Sequence, residues 1–260
     1  MTPGTGASVP ALEHLFLGAR CYDEVLELQR LHRKQILNGS GGDLLLTVEH
    51  DPGVITGGRR ALAAELLLSR EALEGLGVEL REVERGGSWT WHGPGQLVAY
   101  PLLALQRWGL RVPDFVAGLE WAMALLAEEM LVAAAVHPEI VGLQLGQLPG
   151  QPGTWVLKPN GQLAKLGAVG VHVHRFVSLH GLALNIAPDP WGFDWIVPCG
   201  LQDVETTSLL RLVHEFGGQP SKLPDLELAA QRLAELLPSC WQSLPAQGPL
   251  CLGERSCSTR

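Results

Sequence analysis

Cys199 stands between a proline and a glycine in "VPCG", and Lys165 stands among apolar and small residues in "GQLAKLGAVGVHV". A cysteine flanked that way fits neither a helix interior nor a central strand. Pro198 and Gly200 force a tight loop, which can expose the sulfur and turn backbone N–H groups toward an oxyanion. The competing reading is an inert small hydrophobe. A cysteine nucleophile acts as a thiolate and needs a cation or base beside it. Lys165 and the histidines are the candidates. The other lysines are Lys34, Lys158 and Lys222. In a regular strand Lys165 shares an apolar face with Leu163, Val169 and Val171. Desolvation there lowers a lysine pKa and makes it a base, or a cationic partner for a thiolate. The alternative is an amine that snorkels to water from a strand carrying a bulge.

The histidines differ in setting. His92 lies among Gly and Pro in "WHGPGQ", on a shaped loop. His180 sits beside a glycine in "SLHGLAL", and strand glycines mark close backbone approach. His50 ends a buried strand next to a loop and can border a site. His172 and His174 share one strand face; they could bind a metal as a pair, against the simpler reading of a solvated face. The glycines of "RGGSWTWHGPGQ" free backbone N–H groups to approach a ligand, or belong to a hairpin loop stiffened by Pro94. The loop matches neither G-x-x-x-x-G-K-[ST] nor a G-x-G-x-x-G that opens a helix, so no bound nucleotide and no cofactor is expected. Without C-x-x-C or H-E-x-x-H, no metal is expected either.

These residues need elements to hold them. Residues 11–18 read as a strand. Residues 21–39 read as a helix with Val25, Leu28, Leu31 and Ile36 at helical spacing. Residues 43–50 make a buried strand, followed by a turn-rich loop over 51–60. Residues 69–77 predict a short helix capped by Ser69, and 78–84 alternate like a strand. The glycine-rich loop at 85–95 runs into a further strand. Residues 112–131 form the longest expected helix, with Val116, Leu119, Met123, Leu126 and Met130 packed inward. "TWVLK", "LAKLGAVGVHV" and "FVSLHGLALNI" read as neighbouring antiparallel strands. Helices near 206–216 and 223–237 close the chain before a looser tail. Helices and strands mix without a regular βαβ rhythm, so the class is α+β. The expected organisation is a disordered lead-in at 1–10, one catalytic domain over 11–245 and a flexible tail at 246–260.

The 260 residues are 46% hydrophobic and 18% charged, enough for a sizeable core and unlike a disordered chain. No apolar run is long enough to span a membrane. The opening residues lack the basic start and apolar stretch of a secretory signal. Five cysteines, an odd number, point to a reduced, cytoplasmic protein. A net charge of -8 speaks against nucleic-acid binding, though Arg59, Arg60, Arg107 and Arg111 could form a local basic patch.

In order, "VEHDPGVITGGR", "RGGSWTWHGPGQLVAYPLL", "GTWV", "KLGAVGVHV", "HGLALNI" and "F..IVPCG" resemble the octanoyltransferase family of lipoate biosynthesis. The likeness covers residues 43–200. The resemblance implies a lipoate/biotin protein ligase catalytic-domain-like fold: a mixed, largely antiparallel sheet flanked by helices. It implies a Cys–Lys dyad, with Cys199 as the acyl-thioester cysteine and Lys165 lowering its pKa. It places substrate-binding segments at Arg85, Gly86, Gly87, Ser88, Trp89, Thr90, Trp91 and His92, at Ala168, Val169 and Gly170, and at Gly181, Leu182 and Ala183. His50 and His180 stand beside these as supporting candidates. The implied donor is octanoyl-acyl carrier protein. The implied acceptors are lipoyl domains of 2-oxoacid dehydrogenase complexes and the glycine cleavage H protein. An ATP-dependent ligase and a non-catalytic module on the same scaffold are the competing readings. This sequence departs from the family pattern at "EHDPGV", at Trp91, and in a longer Gly/Pro-rich stretch before "TWV".

Overall fold

The computed structural model describes residues 10–188, 192–197, 204–247 and 252. Cys199, with Pro198 and Gly200, lies outside the described residues, as do the lead-in at 1–9 and most of the tail. The chain runs β1 (Leu12–Arg20), α1 (Tyr22–Leu37), β2 (Asp43–His50), β3 (Val54–Gly57), α2 (Arg70–Gly75), β4 (Glu79–Glu82), β5 (Trp89–His92) and β6 (Gln96–Leu102). Next come α3 (Val112–Ala133), α4 (Pro138–Val141), β7 (Gln144–Leu148), β8 (Gln151–Leu157), β9 (Leu163–His174) and β10 (Val177–Asn185). β11 (Glu205–Thr206), α5 (Leu209–Glu215) and α6 (Leu226–Gln247) follow.

The large sheet has the order β1-β2-β6-β10-β9-β8-β7, with β11 paired to β9. All neighbours are antiparallel except β1 with β2 and β11 with β9. A parallel pair needs a crossover, and α1 supplies it between β1 and β2. Alternation along the central strands sorts side chains onto two faces. Leu45, Leu97, Ala99, Leu182 and Leu184 pack with α3, α5 and α6. Leu46, Val48, Val98, Tyr100 and Ala183 pack with Val25 and Ile36 of α1. Every residue of β6 and β10 is therefore buried, as expected of strands covered on both sides. A second sheet, β4-β3-β5, has its own core of Ile55, Leu73, Leu80, Trp89 and Trp91.

Several expectations change. The stretches read as loops contain strands: β3 lies within 51–60 and β5 within 85–95. Both are short and rich in residues that favour turns, and their pairing with each other fixes them. The inward face of α1 is Tyr22, Val25, Leu26, Gln29 and Ile36. Leu28 and Leu31 are 45% and 58% exposed. The Gly/Pro-rich stretch before "TWV" is the β7–β8 hairpin, turning at Pro149-Gly150. Finally, α6 does not stop near 237. It continues through Pro238 and matches the 22 residues of α3. Its Cys240 and Trp241 join the main core, which outweighs the proline's cost. Ser69 caps α2 as expected, accepting from the Ala72 amide.

The α3–α6 contact rests on one small residue. Trp241 packs 5.7 Å from Phe115 and 5.3 Å from Trp108, between ring centroids, and donates Nε1–H to the Phe115 carbonyl. A Cβ on Gly118 would sit 2.1 Å from Trp241 Cδ1. Gly118→Ala should therefore destabilise the protein by about 1–2 kcal/mol in urea unfolding, overpacking outweighing better helix propensity. An unchanged or raised midpoint would contradict this packing.

Candidate active site

Lys165 is 4% exposed, and a buried amine needs partners for its N–H groups. A bulge in β9 aims it. Lys165 pairs with Trp155 and Gly167 with Thr154, leaving Leu166 as the extra residue. Leu166 enters the main core. Lys165 extends over Trp155, with Nζ 5.0 Å from the ring, and donates to the Pro152 carbonyl at 3.0 Å. The regular-strand expectation is corrected by this bulge. The amine is nevertheless buried and does not snorkel to water.

The hairpin approaches closely at Gly153, whose φ is +133°. A Cβ there would lie 2.3 Å from the Gly167 carbonyl oxygen and 3.0 Å from Lys165 Cε. The Gly153 amide donates to Glu120 Oε1 at 2.7 Å. Glu120 is a buried carboxylate on α3. Burial pushes its pKa up to about 7, opposed by the Gly153 hydrogen bond and by Lys165. Sequence reading passed over Glu120, because it lies between apolar residues of a helix read as core.

Three segments meet where the small sheet leans over β9 and β10. The Gly86 amide donates to the Val171 carbonyl and fixes this approach. A cavity of about 40 Å³ is lined by Arg85, Gly87, Ser88, Trp89, Thr90 and His92, by Ala168, Val169 and Gly170, and by Gly181, Leu182 and Ala183. Tyr22, Tyr100 and His180 complete its polar side. Adjoining it, and sharing Gly87, Ser88, Val169 and Gly170 with it, a cleft of about 180 Å³ reaches Lys165 between Arg60, Gly86, Val116, Gln151 and Pro152. Ala168 lines the first cavity and also a small void beside Lys165. The expected segments therefore converge, apart from two residues. Gly86 faces the second cleft. Trp91 turns into the small sheet's core against Phe193.

The electrostatics are mostly those of neutral groups held neutral. Arg85 is buried and donates to the Thr56 carbonyl, Thr56 Oγ1 and the Gly86 carbonyl. Ser88 donates to Glu65. His50 lies behind the cavity, with Nδ1 at the Arg20 carbonyl and Nε2 2.8 Å from Tyr100 Oη. A carbonyl only accepts, so His50 carries its proton on Nδ1 and Tyr100 donates to Nε2. His180 holds a left-handed φ of +60° within β10, and its Nε2 has no hydrogen-bond partner among the described residues. Glu84 is the nearest carboxylate to it, at 3.9 Å. Burial lowers His50 to about 4 and both His92 and His180 to about 3. Burial likewise raises Tyr22 to about 12.

His172 and His174 end β9 at the surface, half-buried and exposed respectively. No group of three His, Cys, Asp or Glu able to hold a metal occurs among the described residues. Cys21 precedes α1, and burial pushes the Cys240 thiol up to about 12. No helix among the described residues is long and apolar enough to cross a membrane.

The family described as lipoyl protein ligase A/B catalytic domain matches residues 21–230. An octanoyltransferase of Acidobacterium capsulatum is 40% identical over 214 residues, covering 78% of this chain and 82% of the relative. One from Cutibacterium acnes is 37% identical, covering 83% and 72%. The chain belongs to the octanoyltransferase family. Solved structures support the fold of this octanoyltransferase. Lipoate-protein ligase A bound with ATP has a TM-score of 0.57 at 12% identity, over 90% of this chain and 85% of that one. A Leishmania major biotin protein ligase has a TM-score of 0.52 at 13% identity, over 90% and 76%. The α+β architecture is thus the lipoate/biotin protein ligase catalytic fold.

The shifts in this octanoyltransferase set how its stability depends on pH. Each depressed histidine stays neutral in the folded state while the unfolded chain protonates below its ordinary value of 6.5. Stability is therefore lost as pH falls from 6.5 toward 4 and 3, by roughly 3 kcal/mol for His50 and roughly 5 kcal/mol for each of His92 and His180. Glu120 has the opposite sign, because its raised pKa costs stability as pH rises from 4.5 through 7. Urea unfolding should show a net loss on acidification. Glu120→Gln should add about 3 kcal/mol at pH 8 and nothing at pH 4. Equal effects at both pH values would remove the assignment to Glu120.

Proposed function

We propose that the chain transfers an octanoyl group by a ping-pong route through Cys199, with Lys165 as its proton partner. The Cys199 thiolate attacks the thioester carbonyl of octanoyl-acyl carrier protein. The carrier's thiolate leaves and takes a proton from Lys165, and octanoyl-Cys199 remains. The neutral ε-amine of a lipoyl-domain lysine then attacks this second thioester. An amide forms, the Cys199 thiolate departs, and Lys165 recovers a proton from the attacking nitrogen. Thioester exchange is nearly isoenergetic, so no ATP is consumed.

The observation that carries this reading is Lys165. Its amine is buried on a bulged strand beside the cavity where residues 85–92, 168–170 and 181–183 converge. The identity of 37–40% to octanoyltransferases supplies the acyl group. The acceptors are lipoyl domains of 2-oxoacid dehydrogenase complexes and the glycine cleavage H protein, in the cytoplasm. Acidic partners meet an acidic chain, so docking uses local arginines and weakens with salt. Arg60 lines the cleft beside Lys165, whereas Arg107 and Arg111 are paired with Asp43 and Asp114.

Incubation with octanoyl-acyl carrier protein should add one octanoyl mass, readable by intact mass spectrometry. Cys199→Ser should abolish the adduct, and Lys165→Ala should slow its formation about 100-fold or more. An adduct that survives Cys199→Ser, or one that requires free octanoate and ATP, would overturn the route.

A further inference from the structure

Four hydrogen bonds connect the backbone of Lys165 to the ring of His92, and all point the same way. The Thr207 amide donates to the Lys165 carbonyl at 2.9 Å. Asn185 Nδ2 donates to the Thr207 carbonyl at 3.0 Å. Gln96 Nε2 donates to Asn185 Oδ1 at 2.9 Å, and also to the Trp91 carbonyl at 3.1 Å. Gln96 Oε1 then faces His92 Nδ1 at 2.7 Å. The order of donors is forced by chemistry. A carbonyl can only accept, so Thr207 fixes the Asn185 amide, and Trp91 with Asn185 fixes the Gln96 amide. Gln96 is left with only an acceptor for the imidazole, so His92 must carry its proton on Nδ1. Its Nε2 keeps a lone pair and has no protein partner among the described residues. Asn185 and Gln96 are almost wholly buried, and aligned bonds in such surroundings strengthen one another.

The ring so fixed lines the cavity formed by residues 168–170 and 181–183 and keeps 8% exposure. Tyr22 of α1 stacks on it at 6.4 Å, and His50 of β2 lies 5.9 Å away. Arg85 and His180 of β10 also face it, and with burial they oppose its protonation. A neutral acceptor nitrogen suits a substrate that brings N–H groups. The thioester of the first half-reaction brings none to the reacting carbon; the amine of the second does.

We propose that Gln96 and Asn185 are positioning residues that lock His92 as the Nδ1–H tautomer, so that Nε2 accepts a hydrogen bond from the incoming lysine amine. That bond turns the nitrogen lone pair toward the acyl carbonyl while Lys165 takes the proton. The inference rests on the amide-forming reading above, and it deepens that reading by assigning the recognition of the amine.

Protein labelled with ¹⁵N-histidine provides the first test, with His92→Gln used to assign the resonance. Long-range ¹H–¹⁵N correlations should show a protonated Nδ1 and an unprotonated Nε2, unchanged between pH 5 and 8. A protonated Nε2 in the wild-type protein would overturn the proposal without any variant. Gln96→Glu puts a carboxylate beside Nδ1 and should make the ring titrate within that range. Transfer from isolated octanoyl-Cys199 to a lipoyl domain should then fall about tenfold or more at low pH and recover as pH rises. Acylation of Cys199 by the donor should stay within about twofold of wild type. Equal losses in both half-reactions, or a silent ring, would reduce Gln96 and Asn185 to structural cross-links. A protein that never forms octanoyl-Cys199 would refute the ping-pong reading and leave the tautomer result standing.

Discussion

A lysine amine cannot be buried without partners, and much of the architecture around β9 meets that requirement. The bulge at Leu166 turns Lys165 away from the main core while its neighbour fills that core. The β7–β8 hairpin brings the Pro152 carbonyl and the Trp155 ring to the amine. Gly153 lets the hairpin lie close enough, and Glu120 of α3 holds its amide. β11 pairs with β9 at Ala164 and Lys165 and secures the backbone on the opposite edge. Altering any of these parts would disturb the lysine.

The second organising constraint is the meeting of two sheets. The large sheet supplies a stiff floor, since β10 is buried along its whole length. The small sheet supplies the overhang, with Trp91 turned into its own core and His92 turned to the cavity. Alternation along a single four-residue strand thus sends Trp91 to the small sheet's core and His92 to the cavity wall. Around that cavity the imidazoles and phenols stay uncharged, which leaves Arg85 as the principal charge on its wall.

Much of this was legible in the sequence where periodicity was strong. The β8–β9–β10 array, the Ser69 cap and the α3 stripe of Leu119, Met123, Leu126 and Met130 follow from spacing and residue type. Val116, expected in that stripe, is instead half-buried and lines the cleft beside Lys165. Less was legible where a residue's role depends on a distant partner. β3 and β5 are held by pairing with each other rather than by propensity. Gln29 displaces Leu28 and Leu31 from the inner face of α1 because it accepts the His180 amide. Pro238 reads as a helix stop, yet the core contacts of Cys240 and Trp241 carry the helix past it. Glu120, Gln96 and Asn185 give no compositional signal, since a buried polar residue is identified only by what it bonds to. The cavity's assembly from residues 85–92, 168–170 and 181–183 was legible from the family resemblance, not from spacing.

The strand order has a consequence for how the protein comes to be active. Gln96 and Asn185 are 89 positions apart in sequence and meet only when β6 pairs with β10. Helices such as α3 form from local contacts, whereas this pairing must first close a long loop. A chain with most of its helix in place therefore still lacks an ordered His92. During refolding, helical signal should therefore return before competence for acyl transfer, which awaits the closure of the central sheet.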